Sequence, residues 1–257
     1  MSVVKVETRR GVMTATLTDV ENRNALGAAL VGGLREALVA ANADPAVRAL
    51  VVTNEGSTFC AGANLKERSR SPGRISGSGG LAELFHEIQT SPTPVVGRIA
   101  GHVMGGGNGL AAALDIAIAA DDVKFGFTEV RLGLAPAIIS VICLPKMRHG
   151  EAMEAFLRGH RFPASRAAQL GLISRAVPAA QLDAAVEEVL ADLRKAGPTA
   201  LGFAKRLVYE VPRMSQQDAF AFTTRLSGEL FAGEEAAEGM KAFLGKRSPS
   251  WAESDPD

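Results

Sequence analysis

The sequence predicts an α/β chain in which a strand-and-helix core runs to about residue 195 and an all-helical region follows. Three observations carry this. Arg48–Thr53, Val95–Ala100 and Ile116–Ala120 are short, nearly all-apolar runs of the kind found in strands buried on both faces. Segments with apolar residues every three or four positions separate them, so strands and helices alternate and right-handed crossovers follow. Beyond about residue 149 nearly every segment has helical spacing or helical caps. No fixed-period sequence repeat is visible, and a structural coil of ββα units remains compatible with the rhythm.

Each element has its own signal. Val3–Thr8 and Val12–Thr18 alternate apolar and polar residues around Arg9-Arg10-Gly11, which predicts a hairpin. Leu26, Leu30, Leu34 and Leu38 predict an amphipathic helix from about 25 to 42, ended by Asn42-Ala43-Asp44-Pro45. Residues 68–80 mix arginine, serine, glycine and proline and read as a mobile loop. Leu81, Leu84, Phe85 and Ile88 mark a helix stripe that Pro92 and Pro94 terminate. The glycine cluster Gly101 to Gly109 leads from the second buried strand into an apolar helix near 108–114. Downstream, helices are expected at Gly150–Arg158, Ala164–Leu170, Ala179–Ala196, Pro198–Val211, Arg213–Phe231 and Glu234–Leu244, interrupted by one short strand at Ile173–Val177. Residues 1–195 form the expected core and 196–257 a C-terminal helical oligomerisation region, since helices leaving a body often pack on a neighbouring subunit.

Composition excludes several functions. The chain has 257 residues, 28 Lys+Arg against 28 Asp+Glu, and 47% hydrophobic residues. That size buries a substantial core unaided, and a net charge of zero argues against a nucleic-acid-binding surface. Cys60 and Cys143 form no ligand-spaced cluster, so no metal site is expected. No leader-like apolar run opens the chain and none approaches about 18 residues, so a cytoplasmic setting without membrane contact is expected. The glycine cluster lacks a following Lys-Ser/Thr and does not fit a dinucleotide fingerprint, no histidine begins HExxH, and no serine stands in GxSxG.

Two segments have the composition of a ligand site. Phe59–Glu67 (FCAGANLKE) follows the first buried strand, and its small residues let a ligand approach the main chain beside a helix begun at Asn64. Gly101–Gly109 repeats the arrangement after the second. Facing each other, the two loops offer one backbone N–H apiece to a single oxygen, an oxyanion hole made of main chain. Taken singly, each is equally a tight turn with close helix–strand packing.

Together they resemble the crotonase (enoyl-CoA hydratase/isomerase) family. Asn22-Arg23-Asn24-Ala25-Leu26 is similar to its N-R-P-x-A-L, with Asn24 in place of proline, and Phe59–Glu67 to its F-x-A-G-A-D-I-K-E, with Asn64 in place of the acid. Gly101–Ala119 resembles G-x-x-x-G-G-G-x-E-L-x-x-x-C-D-I-x-I-A. Phe125–Glu129, Leu132–Pro136 and Phe243–Pro249 resemble F-G-x-P-E, L-G-x-x-P and F-x-E-K-R-x-P, so the likeness spans nearly the whole chain.

The resemblance implies a crotonase-like spiral of ββα units with a C-terminal all-helical region, assembled as a homotrimer or a dimer of trimers. It implies an acyl-coenzyme A substrate and no separate cofactor, coenzyme A being part of that substrate. By the same resemblance the N–H groups of Ala63 and Gly106 bind the thioester oxygen and Glu129 is the acid/base. Asn24, Ala61, Asn64, Leu65, Lys66, Gly105, Gly109 and Pro136 contact substrate, and Lys246 and Arg247 reach the coenzyme A phosphates, across a subunit boundary if need be. Pocket walls are expected near 68–90 and 132–142 and from the C-terminal helices.

The chain departs from the family at one telling position. Hydratases of the family commonly carry two glutamates, and Gly109 stands where the first is expected, while Glu129 keeps the second. The segment Glu129–Ser140 is similar to bacterial hydratases of branched, carboxylated enoyl-CoAs in leucine or terpenoid breakdown, some of which have glycine at that place. An enoyl-CoA hydratase is therefore the first reading. A 3-enoyl-CoA to 2-enoyl-CoA isomerase and a non-catalytic coenzyme A-binding scaffold are the alternatives. Asn108 or the substrate's own carboxylate would hold water in place of the missing glutamate. Arg131 either meets an acidic acyl group or pairs with Glu129. His102 and Cys60 read as packing or hydrogen-bonding residues, and Asp115 as a paired structural ion.

Overall fold

A computed structural model describes residues 2–70 and 78–252. In chain order the elements are β1 (Val4–Arg9), β2 (Val12–Leu17), α1 (Ala28–Ala43), β3 (Ala49–Asn54), β4 (Thr58–Cys60), α2 (Leu65–Arg70) and α3 (Ser78–Thr90). They continue with β5 (Val95–Ile99), β6 (His102–Met104), α4 (Gly106–Ala113), β7 (Ile116–Ala120) and β8 (Lys124–Gly126). A 3₁₀ turn at Thr128–Leu132 leads to α5 (Ala137–Cys143), α6 (His149–Arg158), β9 (Arg161–Pro163), α7 (Ala164–Gln169) and β10 (Arg175–Val177). The chain closes with α8 (Leu182–Lys195), α9 (Pro198–Glu210), α10 (Gln216–Phe231) and α11 (Glu234–Leu244).

The strands form two sheets. The larger has the order β1-β2-β3-β5-β7-β10, parallel except for the β1–β2 hairpin, whose turn residues Arg10 and Gly11 take positive φ. The smaller has the order β4-β6-β8-β9, with β4, β6 and β8 mutually parallel and β9 antiparallel. Successive pairs β3/β4, β5/β6 and β7/β8 each contribute one strand to each sheet before the chain turns into helix. That is the ββα coil the sequence rhythm allowed. β3 is buried along its whole length: Ala49–Val52 are apolar, and the buried Thr53 and Asn54 side chains donate to the Arg98 and Gly56 carbonyls. Phe59, Phe85, Phe125, Phe127, Leu30 and Leu110 are among the fully buried side chains that fill the space between sheets and helices.

Several expectations need correction. Leu26 is not on a helix: its N–H bonds to Gly62 O and its carbonyl accepts from Asn64, pairing it with Ala63, so α1 starts only at Ala28. Arg23 and Asn24, both at positive φ, turn the chain into that pairing. The loop expected at 68–80 is helical at 68–70 and 78–80, while 71–77 lies outside the described residues. β9 is a second strand among the C-terminal helices, and α10 starts at Gln216, where Ser215 accepts a bond from the Asp218 N–H as N-cap. The short strands β4, β6, β8 and β9 have three residues each, too few for a periodic signal.

The C-terminal helices are anchored by a buried ion pair. Lys205 on α9 and Asp115, between α4 and β7, approach to 2.7 Å with side chains only 7% and 15% exposed. Lys205 also donates to the Ile88 carbonyl at 2.6 Å, and Asp115 accepts from the Val95 N–H at 2.7 Å. Asp115 is thus the paired structural ion its sequence context suggested.

Candidate active site

Three parallel neighbours in the small sheet, β4, β6 and β8, end on the same edge, and the chain leaving each delivers one part of the site. Adjacent strands lie about 4.8 Å apart, so this edge gathers three separate segments within reach of one small ligand. β4 delivers Ala61-Gly62-Ala63, β6 delivers Gly105-Gly106, and β8 delivers Thr128-Glu129.

The first two segments touch. A Cβ on Gly62, which sits at φ +91°, would lie 2.8 Å from Gly106 N and 2.9 Å from Met104 O, so only glycine permits this approach. The Ala63 N–H faces away from Leu26, because the bridge between the two residues uses only Leu26's own N–H and carbonyl. Gly106 is the first residue of α4, where backbone N–H groups have no partner within the helix and carry the positive end of its dipole. Gly105 is pinned by its N–H to Gly126 O at 2.9 Å, and Asn108 donates to both Gly105 O and Gly126 O at 2.9 Å. Ala63 and Gly106, delivered by separate loops, line one cavity.

Glu129 lines the same cavity. A Cβ on Gly105 would lie 3.4 Å from its Oε1, and its Oε2 is buried with no hydrogen-bond partner among the described residues. Desolvation holds its pKa above the ordinary carboxylate value of 4.5. Its backbone is fixed, since the Glu129 carbonyl accepts from the N–H groups of Gly133 and Leu134. The cavity measures about 240 Å³, and Glu129 is the one ionisable side chain among the described residues lining it. Leu65, Leu81, Leu132, Leu134, Pro136, Ile138 and Ile139 supply an apolar surround. A larger cavity of about 760 Å³, between the ends of α1 and α3 and the helix α9, lies away from these loops and is bordered by Arg206 and Glu210, which bond each other at 2.8 Å. None of the three strand-end segments lines it, and it is not the candidate site.

The structure brings together Ala61, Ala63, Leu65, Gly105, Gly106, Glu129 and Pro136 of the expected set. Others are elsewhere. Asn24 is fully buried and spends its amide on the carbonyls of Glu55 and Thr58, bracing the approach to β4 rather than facing a ligand. Asn64 caps α2, its Oδ1 accepting from the N–H groups of Lys66 and Glu67. Lys66 is on the first turn of α2 beside Leu65, with its ammonium on Asn22 Oδ1 at 3.0 Å. Gly109 is buried behind Ile139 and does not line the cavity. Lys246 and Arg247 follow α11 outside the cavity, and Arg247 grips both oxygens of Glu238 at 2.7 and 2.8 Å, holding that carboxyl down near about 2.

The residues held in reserve resolve in the same way. Asn108 donates its amide nitrogen to Gly105 O and Gly126 O, its Oδ1 is buried with no partner among the described residues, and its side chain is not part of the cavity lining. His102 accepts from the Lys124 N–H through Nδ1 at 3.1 Å, stitching β6 to β8. Burial pushes the Cys60 thiol up to about 12, which suits packing and not nucleophilic chemistry. Among the described residues the lining includes no C-terminal helix, contrary to the expected walls, while Leu81 and the 132–139 segment are where they were expected. As lining residues, Thr128 is marked in the sequence only as a position of the Phe125–Glu129 motif, and Leu81, Ile138 and Ile139 only as part of the walls expected near 68–90 and 132–142.

Comparison with known proteins gives the same reading. The sequence profile described as "Enoyl-CoA hydratase/isomerase" matches residues 7–254. The chain belongs to this family. The solved enoyl-CoA hydratase of Mycobacterium smegmatis is 29% identical and superposes with a TM-score of 0.92, over 98% of this chain and 99% of its own. AtuE of Pseudomonas aeruginosa is 33% identical, with a TM-score of 0.91 over 98% of this chain and 100% of its own. The carnitinyl-CoA dehydratase of Proteus mirabilis is 29% identical over 252 residues, 95% of this chain and 96% of that protein. The crotonase-like spiral with a helical C-terminal region is thus the fold of this chain, as the resemblance implied.

Proposed function

We propose that this protein is an enoyl-CoA hydratase that works through a thioester enolate with one carboxylate, Glu129. The observation that carries the reading is a desolvated Glu129, its Oε2 without a partner among the described residues, lining one small apolar cavity with Ala63 and Gly106. Adding a nucleophile to a double bond conjugated with a thioester moves an electron pair onto the carbonyl oxygen. Fixed donors stabilise that charge best where water is excluded. In hydration, Glu129 takes a proton from water as the water oxygen bonds to the β-carbon. It returns the proton to the α-carbon as the enolate collapses, so the enzyme ends as it began.

Isomerisation of 3-enoyl to 2-enoyl thioesters is the second reading, and one observation favours it. Ile139 packs where a second carboxylate side chain would have to go. Here Glu129 removes an α-proton and returns it to the γ-carbon, with the same oxyanion donors. Purified protein incubated with 2-enoyl- and 3-enoyl-CoA panels tests both. Loss of conjugated-thioester absorbance marks hydration, and its appearance from a 3-enoyl substrate marks isomerisation. No change with either substrate, despite binding, leaves the coenzyme A-binding scaffold and overturns the proposal.

Coenzyme A enters in this reading as part of the substrate, with no separate cofactor and with Lys66 next in sequence to the cavity-lining Leu65. Lys246 and Arg247 would meet its phosphates only from a neighbouring subunit. Assembly through the C-terminal region, as a homotrimer or dimer of trimers, is supported by apolar side chains left in water on α10 and α11, with Phe243 83% and Leu244 80% exposed. The buried free thiols Cys60 and Cys143 suit a reducing, cytoplasmic setting. Among the described residues no helix is long and apolar enough to cross a membrane.

A further inference from the structure

Ile139 leaves no room for a side chain at Gly109. A Cβ added to Gly109 would lie 2.4 Å from Ile139 Cγ2, 2.9 Å from Ile139 Cβ and 3.0 Å from Phe85 Cε2. Gly109 is on α4 and Ile139 on α5, so the missing side chain at 109 is what lets the two helices close and puts the isoleucine in the cavity wall. Ile139 is 3% exposed, and Phe85 backs the contact from α3 at 1%. A change at either residue is felt at the other: a side chain at 109 displaces Ile139, and a smaller residue at 139 opens a path toward Gly109 and Phe85. A glutamate placed at 109 has no room unless Ile139 is cut back as well.

We propose that the Gly109–Ile139 pair is the specificity device of the site, closing the acyl cavity so that it takes a short, uncharged, apolar acyl chain. Three features support the class. The cavity, about 240 Å³, falls below the roughly 300–1,000 Å³ usual for ligand pockets. Its wall beyond the reacting carbons is aliphatic: Leu81, Leu132, Leu134, Ile138 and Ile139. No cation among the described residues lines it, Arg131 included, and a carboxylate on the acyl chain would be buried unpaired beside Glu129. The carboxylated acyl groups suggested by the sequence of residues 129–140 are therefore disfavoured. The proposal rests on the acyl-CoA reading above but not on turnover.

Binding of saturated acyl-CoAs, measured by titration calorimetry on the full chain, tests it without chemistry. Ile139→Ala is expected to shift the affinity ratio of octanoyl-CoA to butyryl-CoA by about tenfold toward the longer chain, with Ile139→Val between. Gly109→Ala is expected to shift it the other way, and Gly109→Ala combined with Ile139→Ala to return it near the wild-type value, a coupling that independent sites do not show. Ile139→Val removes one methyl group and keeps the test open if the larger truncation unfolds. Glutaryl-CoA is expected to bind at least about tenfold more weakly than valeryl-CoA. A chain-length ratio unmoved in folded Ile139→Ala and Ile139→Val overturns the pair as specificity device, and equal affinity for glutaryl- and valeryl-CoA overturns the uncharged class. If the wild type binds butyryl-CoA but the ratio stays put, only this proposal fails. If it binds no acyl-CoA, the reading of the site fails with it.

Discussion

Glu129 and Asp115 are both carboxylates withdrawn from water, and the chain around them treats them in opposite ways. Asp115 receives the Lys205 ammonium and the Val95 N–H, each at 2.7 Å. Burial pushes its pKa up, but the lysine and the N–H pull back against that, and burial in turn pulls Lys205 down against the aspartate. Glu129 has no such partner for Oε2 among the described residues, and desolvation is what raises it. A paired buried carboxylate holds two elements together and gains nothing by moving a proton. An unpaired one, beside a cavity and facing backbone donors, is poised to take a proton and return it. The contrast separates scaffold from chemistry where burial alone does not.

Breaking the paired site is expected to have the largest effect on stability. Lys205→Met strands Asp115 in the interior, and removing one partner of a buried ion pair typically costs about 3–5 kcal/mol. Chemical denaturation should show that loss, together with a steeper loss toward high pH, where the stranded carboxylate must ionise. An unchanged midpoint would mean that the pair does not anchor α9.

Altering the unpaired site sharpens the contrast from the other side, with a smaller effect. The pKa of Glu129 is raised above 4.5 in the folded protein, so its contribution to stability is present in acid and is lost as pH rises through the folded value. Glu129→Gln should therefore be more stable than the wild type near pH 7 and match it at low pH, where both side chains are neutral, read as a difference in melting temperature at the two pH values. The acid limb of wild-type turnover should lie above 4.5 for the same reason, because the base must be ionised to act. A variant less stable than wild type at neutral pH would show that Glu129 holds a structural bond after all.

The difference between the two carboxylates also marks how far sequence could see. Asp115 was legible because an acid between an apolar helix and a buried strand has to be paired, although its partner, Lys205, is 90 residues downstream with no local signal. The long apolar strands and periodic helices were legible for the same reason: β3, β5, β7 and α3 owe their form to repeating local patterns. The small sheet was not, since three-residue strands have no period, yet β4, β6 and β8 are what bring Ala63, Gly106 and Glu129 to one edge. Those three residues were identified through motifs, and the topology supplies the physical reason they meet. Asn24 and Gly109 were misjudged because motif position says where a residue falls in the chain and not which way it faces. Only the contact with Ile139 shows that Gly109 serves packing.

The central claim is that Glu129 alone moves the proton to and from an enolate held by the Ala63 and Gly106 N–H groups. Exchange of the α-protons of butyryl-CoA in D₂O, followed by NMR, reads that step whether the enzyme hydrates or isomerises. The wild type is expected to catalyse the exchange, and Glu129→Gln to lose it by about 10²–10⁴-fold while still binding butyryl-CoA. Exchange at the wild-type rate in a folded Glu129→Gln protein would contradict the account.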